Sequence, residues 1–136
     1  MRVVLDTNII FVSVSSTSQY HWVWQALEHG DFLLCVTTDI LDEYAEVLEE
    51  EMGYLTMQRT MNALVNHPLL QRIIRYYRWN LIVADPDDDK FVDCAISANA
   101  DFIVSEDRHF RVLRQIEFPK VEVIGIEEFK KRLGIA

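Results

Sequence analysis

The sequence predicts an α/β fold, a three-layer α/β/α sandwich in which helices cover both faces of a mostly parallel central sheet of about five strands. Two observations predict it. Short apolar runs rich in β-branched residues alternate with longer segments of helical period, and turn signals recur at short intervals without a repeat or linker. The 136 residues, 50% of them hydrophobic, suit one domain spanning residues 1–136.

Five short apolar runs are predicted as the strands of the sheet. In chain order they are Arg2–Leu5, Phe32–Val36, Leu81–Val83, Phe102–Val104 and Val121–Ile124. Apolar side chains at helical spacing predict one amphipathic helix before the second strand and one after it. The first apolar face contains Trp22, Val23, Ala26 and Leu27, and the second contains Ile40, Leu41, Tyr44, Val47 and Leu48.

Two further helical regions follow along the chain. Residues 54–79 predict a pair of helices inserted between strands and divided near His67-Pro68, because proline disfavours helical geometry in the residue before it. Asp85-Pro86 is typical of an N-cap followed by proline at the first helical position. The helix that begins there is predicted to continue to about Asn99.

The charge and the cysteine content narrow the function classes. Thirteen basic against 22 acidic residues leave a formal net charge of −9, the wrong sign for holding nucleic acid by bulk electrostatics. Cys35 and Cys94 lie among apolar neighbours without metal-ligand spacing, which indicates buried free thiols in a reducing compartment. No apolar run reaches the length of a signal peptide or a membrane span. We therefore expect a cytoplasmic protein.

Acidic side chains follow three of the predicted strands at the point where each strand ends. Asp6 follows the first strand, the run Asp85–Asp89 follows the third, and Asp107 comes shortly after the fourth. Ligands of open parallel sheets bind beyond the carboxyl ends of the strands at a topological switch point, so these acids are predicted to meet there. Asp6 and Asp107 are also acceptable helix N-caps, and that alternative stays open.

Glu43 shares the apolar stripe of the second predicted helix, since it lies three residues after Ile40 and four before Val47. A carboxylate directed inward needs a partner such as a metal ion. The alternative is a charged group at the edge of the stripe that reaches solvent. Glu43 is therefore a candidate ligand beside the strand-end acids.

Asp89 and Asp93 lie four residues apart on one face of the helix that begins near Asp85, where they repel each other unless a cation intervenes. We predict Asp89 as a metal ligand. Asp93 fits a ligand, a group that orients a ligand, or an exposed acid equally well. Asp85, Asp87 and Asp88 are predicted instead to cap the helix and to interact with its positive N-terminal dipole.

An all-oxygen site of this kind suits Mg²⁺ or Mn²⁺ and lacks the His and Cys ligands of structural zinc. The reaction it predicts is metal-assisted hydrolysis of a phosphodiester, because carboxylates hold ions that neutralise phosphate and activate water. Asn8 and Ser105 each lie close to a candidate ligand and are of the type that fixes a ligand's orientation.

Four segments in order along nearly the whole chain resemble the PIN-domain family, in particular the small prokaryotic VapC-like toxin components of toxin–antitoxin pairs. They are VVLDTNII at 3–10, TTDILDEYAEVL at 37–48, DPDDDKFVDCAI at 85–96 and ADFIVSEDRHF at 100–110. The resemblance implies a PIN-like fold and a metal-dependent endoribonuclease that leaves a 5′-phosphate and a 3′-hydroxyl. It also implies a Mg²⁺ or Mn²⁺ cofactor, an RNA substrate, a homodimer and a cognate antitoxin protein.

The same resemblance assigns roles to residues of this chain. The catalytic, metal-coordinating acids would be Asp6, Glu43, Asp89 and Asp107, with Asp93 as a further acid at the metal and with Asn8 and Ser105 in support. Two features depart from the family pattern. One is the acidic net charge, and the other is Glu106, where relatives often have a small residue such as glycine.

Two other functions are considered. A receiver-type phosphoacceptor domain needs an acid pair after its first strand and a lysine after its fifth, and this chain fits that arrangement poorly. A non-catalytic PIN-shaped module that binds RNA or protein is the stronger alternative. Such a module is expected to have lost acids of the site, and all of them are present here.

The remaining histidines, aromatic residues and arginines give weaker signals. Surface or packing roles are predicted for His21, His29, His67 and His109. Base stacking is one interpretation, with core or dimer-interface packing favoured over it, for Trp22, Trp24, Tyr76, Tyr77 and Trp79. Two rows spaced three residues apart on predicted helices are Arg72/Arg75/Arg78 and Arg108/Arg111/Arg114. The first row is predicted to be a solvated surface, whereas Arg108 and Arg111 are predicted to contact RNA phosphates.

Overall fold

The fold is a parallel five-stranded sheet with helices packed on both faces, in a computed structural model that describes residues 1–75 and 77–135. The elements are β1 (Arg2–Leu5), α1 (Thr7–Val14), α2 (His21–His29), β2 (Leu33–Val36), α3 (Thr38–Met52), α4 (Tyr54–Val65), β3 (Leu70–Arg72), α5 (Asp89–Ala98), β4 (Phe102–Val104), β5 (Val123–Ile124) and α6 (Ile126–Arg132). Two short 3-10 helices lie at Pro86–Asp88 and Arg108–Gln115. The predicted fold class is confirmed.

The strand order is β3-β2-β1-β4-β5, so the chain winds outward in one direction from β1 and in the other from β4. Val3 pairs with Phe102 and Leu5 pairs with Val104 in the parallel register between these two central strands. The residues that follow the strands, Asp6 and Ser105, therefore emerge side by side. This is the topological switch point, where parallel sheets bind their ligands.

The central strands are buried on both sides, which explains their continuous apolar sequences. Helix α5 crosses β1, β2 and β4 and buries Phe91, Val92 and Cys94 against them. Helix α3 packs against α1 and α5, with the fully buried Tyr44 donating a hydrogen bond to the carbonyl of Leu5. These contacts fix α3 and α5 beside the carboxyl end of β1.

Two elements differ from the sequence prediction. The predicted strand at Leu81–Val83 does not form, and Val83 is 85% exposed. Of the helical pair predicted over 54–79, α4 forms the first member, but the second is replaced by β3 and irregular backbone in the described residues. The period of a short apolar run does not distinguish a helix from a strand. Residues 70–72 form a strand because they pair with the edge of β2.

Other local predictions hold. The Thr37 hydroxyl caps α3 by accepting a hydrogen bond from the Ile40 amide at 3.3 Å, and the Asp85 carboxylate caps the Pro86–Asp88 turn. Cys35 and Cys94 are free and buried, as expected for packing thiols. Among the described residues, no helix combines the length and the apolar composition needed to cross a membrane.

Candidate active site

Ser105 joins the two strand-end acids of the switch point. Its hydroxyl donates to Asp6 Oδ2 at 2.8 Å and accepts a hydrogen bond from the Asp107 amide at 2.9 Å. The other oxygen of Asp6 accepts from the Thr7 amide at 2.8 Å. Asp6 and Ser105 are buried. The orientation of the Asp6 carboxylate is thus fixed from both sides.

Helix α3 brings Glu43 to the same place from a different part of the chain. Glu43 Oε2 accepts a hydrogen bond from the Thr7 hydroxyl, and Glu43 Oε1 lies 2.8 Å from the Lys90 ammonium. The Glu43 side chain is 25% exposed. Burial lowers the pKa of Lys90, but the Glu43 carboxylate outweighs that effect and the pKa is raised overall. Glu43, the inward-facing acid of α3, therefore has two partners, the Thr7 hydroxyl and the Lys90 ammonium.

The acids of this site repel one another electrostatically. Burial raises the pKa of Asp6, and the charges of Asp107 and Glu43 raise it further, while the hydrogen bonds from Ser105 and Thr7 act in the opposite direction. Thr7 hydrogen-bonds to both Asp6 and Glu43, and Ser105 hydrogen-bonds to both Asp6 and the Asp107 amide. The fold therefore gathers Asp6, Glu43 and Asp107 into one negatively charged site.

A second group of side chains adjoins Asp107 and is centred on His109. The Nδ1 atom of His109 lies 3.4 Å from Asp88 Oδ2, 3.4 Å from Asp107 Oδ1 and 3.6 Å from Asp85 Oδ2. Buried Asp88 Oδ2 and His109 Nδ1 both lack a well-directed hydrogen bond. Burial raises the pKa of Asp88 to about 7, and repulsion from Asp107, Asp85 and Asp6 adds to this. Asp88 therefore belongs to the acidic site rather than to the helix cap alone.

Asp89 and Asp93 point toward another part of the molecule. Asp89 Oδ1 accepts a hydrogen bond from the Ile82 amide at 2.8 Å, and Asp93 Oδ1 accepts one from the Trp79 amide at 3.1 Å. Asp93 Oδ2 also lies 3.5 Å from the Arg75 guanidinium. Burial raises the pKa of Asp93, against the effect of these two partners. Both acids hold the backbone of residues 79–82 against α5.

The other predicted site residues lie around this centre. Asn8 is exposed on the first turn of α1, and its side chain makes no hydrogen bond to any residue among 1–75 and 77–135. Arg108 and Arg111 are exposed on the 3-10 helix that Asp107 caps through the His109 amide. With three residues per turn, such a helix puts the two arginines on one face, beside the carboxylate.

Glu106, the departure from the family pattern, has a local structural role. Its Oε1 atom accepts a hydrogen bond from the Ile126 amide at 2.7 Å, at the start of α6. A Cβ atom on Gly125 would lie 2.8 Å from that oxygen, so glycine leaves room for it. The Glu106 side chain thus turns away from Asp6 and toward β5 and α6.

Four contributors to the site were not singled out by sequence reasoning. They are Thr7, Asp88, Lys90 and His109. In a run such as DPDDD, capping and ligand roles use the same residue type, so the pattern does not show which carboxylate faces the strand ends. Thr7 was identifiable as a hydroxyl next to Asp6, and His109 by its position two residues after Asp107.

The donor set fits a hard divalent cation. The site offers carboxylate oxygens from Asp6, Glu43, Asp88 and Asp107, and Mg²⁺ and Mn²⁺ prefer oxygen ligands. The unpartnered buried oxygen of Asp88 is the kind of atom that a cation satisfies. Among the described residues, Asp85, Asp88 and His109 are the group whose ligand atoms all lie within 4.8 Å of one another, close enough to share one ion. Asp6, Glu43 and Asp107 converge on the site from other segments without forming a group that compact.

Comparison with known proteins agrees with this arrangement. A family model described as PIN domain matches residues 2–109, which include β1, the acids of α3 and α5, and the segment after β4. The chain belongs to the PIN-domain family. No curated protein sequence matches it.

Several solved structures share the fold. VapBC2 from Rickettsia felis, solved bound to a DNA fragment from its promoter, has a TM-score of 0.64 at 14% identity, covering 92% of this chain and 98% of that one. FitAcB from Neisseria gonorrhoeae gives 0.58 at 12%, with coverage of 92% and 98%. The PIN domain endonuclease Utp24 gives 0.53 at 14%, with coverage of 91% and 84%. At these identities the likeness establishes a common fold.

Asp88→Asn is expected to stabilise the metal-free PIN domain, and more so at high pH. The folded-state pKa of about 7 lies above the ordinary 3.8. Ionisation of Asp88 therefore lowers the free energy of unfolding progressively as pH rises through that interval, and the loss is complete above it. Asparagine does not ionise. Urea unfolding in EDTA should therefore show a gain for the variant that is larger at pH 8 than at pH 5.

Asp42→Asn is the matched control, because Asp42 is exposed on α3. Its effect on the free energy of unfolding should stay within about 0.5 kcal/mol at both pH values. An Asp88→Asn variant that is less stable than wild type at pH 8 would contradict the repulsion described above.

Proposed function

We propose that this PIN domain is a metal-dependent endoribonuclease that hydrolyses RNA phosphodiester bonds, and that it is the toxin component of a toxin–antitoxin pair. The observation that carries the proposal is the convergence of four carboxylates from separate segments at the switch point. Ser105 orients Asp6 there, and the buried Asp88 oxygen lacks a partner. Such a cluster is unfavourable without a cation, so its assembly favours a catalytic role.

Asp6, Glu43 and Asp107 would hold a Mg²⁺ or Mn²⁺ ion, with a fourth carboxylate from the start of α5. The sequence favours Asp89 for that position. The contacts favour Asp88, because it shares His109 with Asp107 and the charges of Asp107 and Asp6 raise its pKa, whereas Asp89 is hydrogen-bonded to the Ile82 amide. Asp93 would then support the site by holding neighbouring backbone. For Asn8, the proposed supporting role rests on its position in the chain close to Asp6 and Thr7.

The bound ion and the protein side chains would have different roles in the reaction. A bound divalent ion would neutralise the scissile phosphate, lower the pKa of an attacking water and stabilise the departing 3′ oxygen. The protein would contribute orientation: Ser105 and the Thr7 amide fix Asp6, and the Thr7 hydroxyl fixes Glu43. Lys90, paired with Glu43 at 2.8 Å, would place a positive charge beside the phosphate. No covalent enzyme intermediate is required.

The toxin assignment draws on the relatives. VapBC2 and FitAcB have the same fold over nearly their full length, and VapBC2 was solved bound to DNA from its promoter. By analogy we propose that this chain forms a homodimer and is inhibited by a cognate antitoxin protein. We also propose that it acts in the cytoplasm, where RNA is available and the buried thiols stay reduced.

Substitution of the carboxylates should abolish cleavage without unfolding the protein. Asp6→Asn, Glu43→Gln, Asp88→Asn and Asp107→Asn should each lower Mn²⁺-dependent cleavage of RNA by at least about a hundredfold, because a neutral amide keeps the shape but loses the ligand charge. Asp93→Asn should cause a partial loss. The assay compares single-stranded and structured RNAs with Mn²⁺ and with EDTA.

Asp89→Asn is the discriminating variant in that series. If Asp88 is the fourth ligand, Asp89→Asn keeps most of its activity and Asp88→Asn does not, and the reverse result assigns the position to Asp89. Asp42→Asn should cleave like wild type. Full activity in Asp6→Asn would refute the nuclease proposal, as would the absence of metal-dependent cleavage in wild type, which would favour a non-catalytic binding module.

Arg108 and Arg111 are proposed to bind phosphates that flank the scissile bond. Neither guanidinium lies within 4.0 Å of a carboxylate in the described parts of the chain. The double variant Arg108→Gln/Arg111→Gln should weaken RNA binding in EDTA irrespective of sequence. It should also reduce the slope of log Kd against log salt by up to about two, one for each phosphate that the variant no longer neutralises.

The control for this pair removes the same charge elsewhere. Lys130→Gln/Lys131→Gln changes two basic residues on α6, away from the site and from the arginines in question. Fluorescence anisotropy over a salt series should give wild-type slopes for this control. If both double variants change the slope equally, net charge rather than direct binding by Arg108 and Arg111 explains the effect.

A further inference from the structure

One stretch of this acidic protein contains no acidic residue. Residues 52–84 include Arg59, Arg72, Arg75 and Arg78 but no Asp or Glu, so the stretch has a formal charge of +4. The rest of the chain has nine basic against 22 acidic residues, a formal charge of −13. A protein of net charge −9 needs a local cationic surface to hold a polyanion, and this stretch is a candidate.

Two aromatic rings of the same stretch, Tyr77 and Trp79, form a row with Phe118 from the segment before β5. The rings of Tyr77 and Trp79 lie 4.7 Å apart at 62°, and those of Trp79 and Phe118 lie 6.4 Å apart at 88°. Tyr77 is 61% exposed and Phe118 is 84% exposed. Edge-to-face contacts order the three rings but leave ring faces open to solvent. We call these three side chains the aromatic row; the neighbouring Tyr76 lies outside the described residues.

The aromatic row is attached to the helix that borders the acidic site. The Trp79 amide donates to Asp93 on α5, and the Ile82 amide donates to Asp89 one turn earlier. Asp93 is 2% exposed at its side chain and also holds Arg75. The buried acids of α5 thus fix the position of the row instead of leaving it on a free loop.

Basic and polar side chains lie between the row and the carboxylates. Arg75, Arg78, Asn80 and Lys90 line a cleft beside α5, together with Asp39, Asp87, Asp89 and Asp93. Lys90 also lines the adjoining cleft that contains Glu43, to which its ammonium is paired. Arg78 lies between Tyr77 and Trp79 in the chain, so a strand that leaves the site past Lys90 and follows this cleft would reach the aromatic row at Arg78.

We propose that Tyr77, Trp79 and Phe118 form a base-stacking platform for single-stranded RNA, which leads the strand past Arg78 and Lys90 to the acidic site. This proposal rests on the proposed nuclease function and names the substrate form, unpaired RNA, that the site takes. Stacking tolerates any base, because every base has a π face, and cationic side chains hold the backbone between stacked bases.

Charge favours RNA over a protein partner as the occupant. A purely apolar docking surface does not explain why an otherwise acidic chain excludes every acid from 33 consecutive residues while retaining four arginines. Arg78 is exposed, lies between Tyr77 and Trp79 in the chain and lines the cleft beside α5, so its positive charge is located beside the row. Arginine next to stacked aromatic rings is typical of single-strand binding surfaces.

Binding of a fluorescent oligouridylate in EDTA tests the platform. Tyr77→Ala/Phe118→Ala should raise Kd by about tenfold or more, since stacking contributes about that factor per base. The matched control Tyr54→Ala/Leu55→Ala removes two exposed side chains of the same acid-free stretch, on α4, and should leave Kd within about twofold. An abasic oligonucleotide of equal length should bind both variants and wild type alike.

A second readout is independent of the alanine variants' folding. Oligouridylate should quench tryptophan fluorescence in wild type and in Trp24→Phe, and the quenching should be lost in Trp79→Phe. Unchanged Kd in Tyr77→Ala/Phe118→Ala overturns the platform, as does equal loss with the abasic probe or no binding by wild type. A variant that changes only the sedimentation of the protein, with RNA affinity intact, identifies a protein interface instead and also overturns it.

The platform and the nuclease proposal fail differently in these experiments. If wild type and Tyr77→Ala/Phe118→Ala both cleave RNA with Mn²⁺ and bind it equally, the platform is wrong and the nuclease stands. If the variant loses base-dependent binding but wild type never cleaves RNA, the platform stands as part of a binding module.

Discussion

The parallel pairing of β1 with β4 is the constraint on which the rest of the site depends. Because Leu5 pairs with Val104, the chain leaves both strands at the same level, and Asp6 meets Ser105 there. The Asp107 amide then hydrogen-bonds to the same Ser105 hydroxyl. A slip of one residue in this register would turn Asp6 toward the opposite face of the sheet and separate the acids.

Helices α3 and α5 position the remaining carboxylates of the site. Tyr44 ties α3 to the carbonyl of Leu5, one residue before Asp6, and thereby sets the depth at which Glu43 reaches the site. Helix α5 begins beside the 3-10 helix after β4, which brings Asp88 to His109. Burial and then the charges of neighbouring carboxylates raise the pKa values of Asp6 and Asp88, so the site is held together by the buried core against its own repulsion. A bound cation would reduce that repulsion.

The fold was predictable from the sequence, as was the meeting of Asp6 with the segment after β4, because strong local signals agreed with the global topology. Buried parallel strands appear as apolar runs, and Asp6 and Asp107 follow two of them closely. The sequence did not show which carboxylates of DPDDD cap the helix and which face the strand ends. The side-chain direction across the junction between the 3-10 helix and α5 depends on tertiary contacts. Asp89 and Asp93 share one face as expected, but that face holds residues 79–82. The strand β3 escaped prediction because its three residues carry no period of their own.

If the gathered carboxylates form a cation site, binding of the ion stabilises the folded protein, and thermal melting with and without metal measures this. Saturating Mn²⁺ should raise the Tm of wild type by roughly 5 °C or more above its value in EDTA, because the ion binds the folded state alone. Asp6→Asn should lose most of that rise. A wild type that melts at the same temperature in EDTA and in Mn²⁺ would show that the carboxylates do not hold a cation.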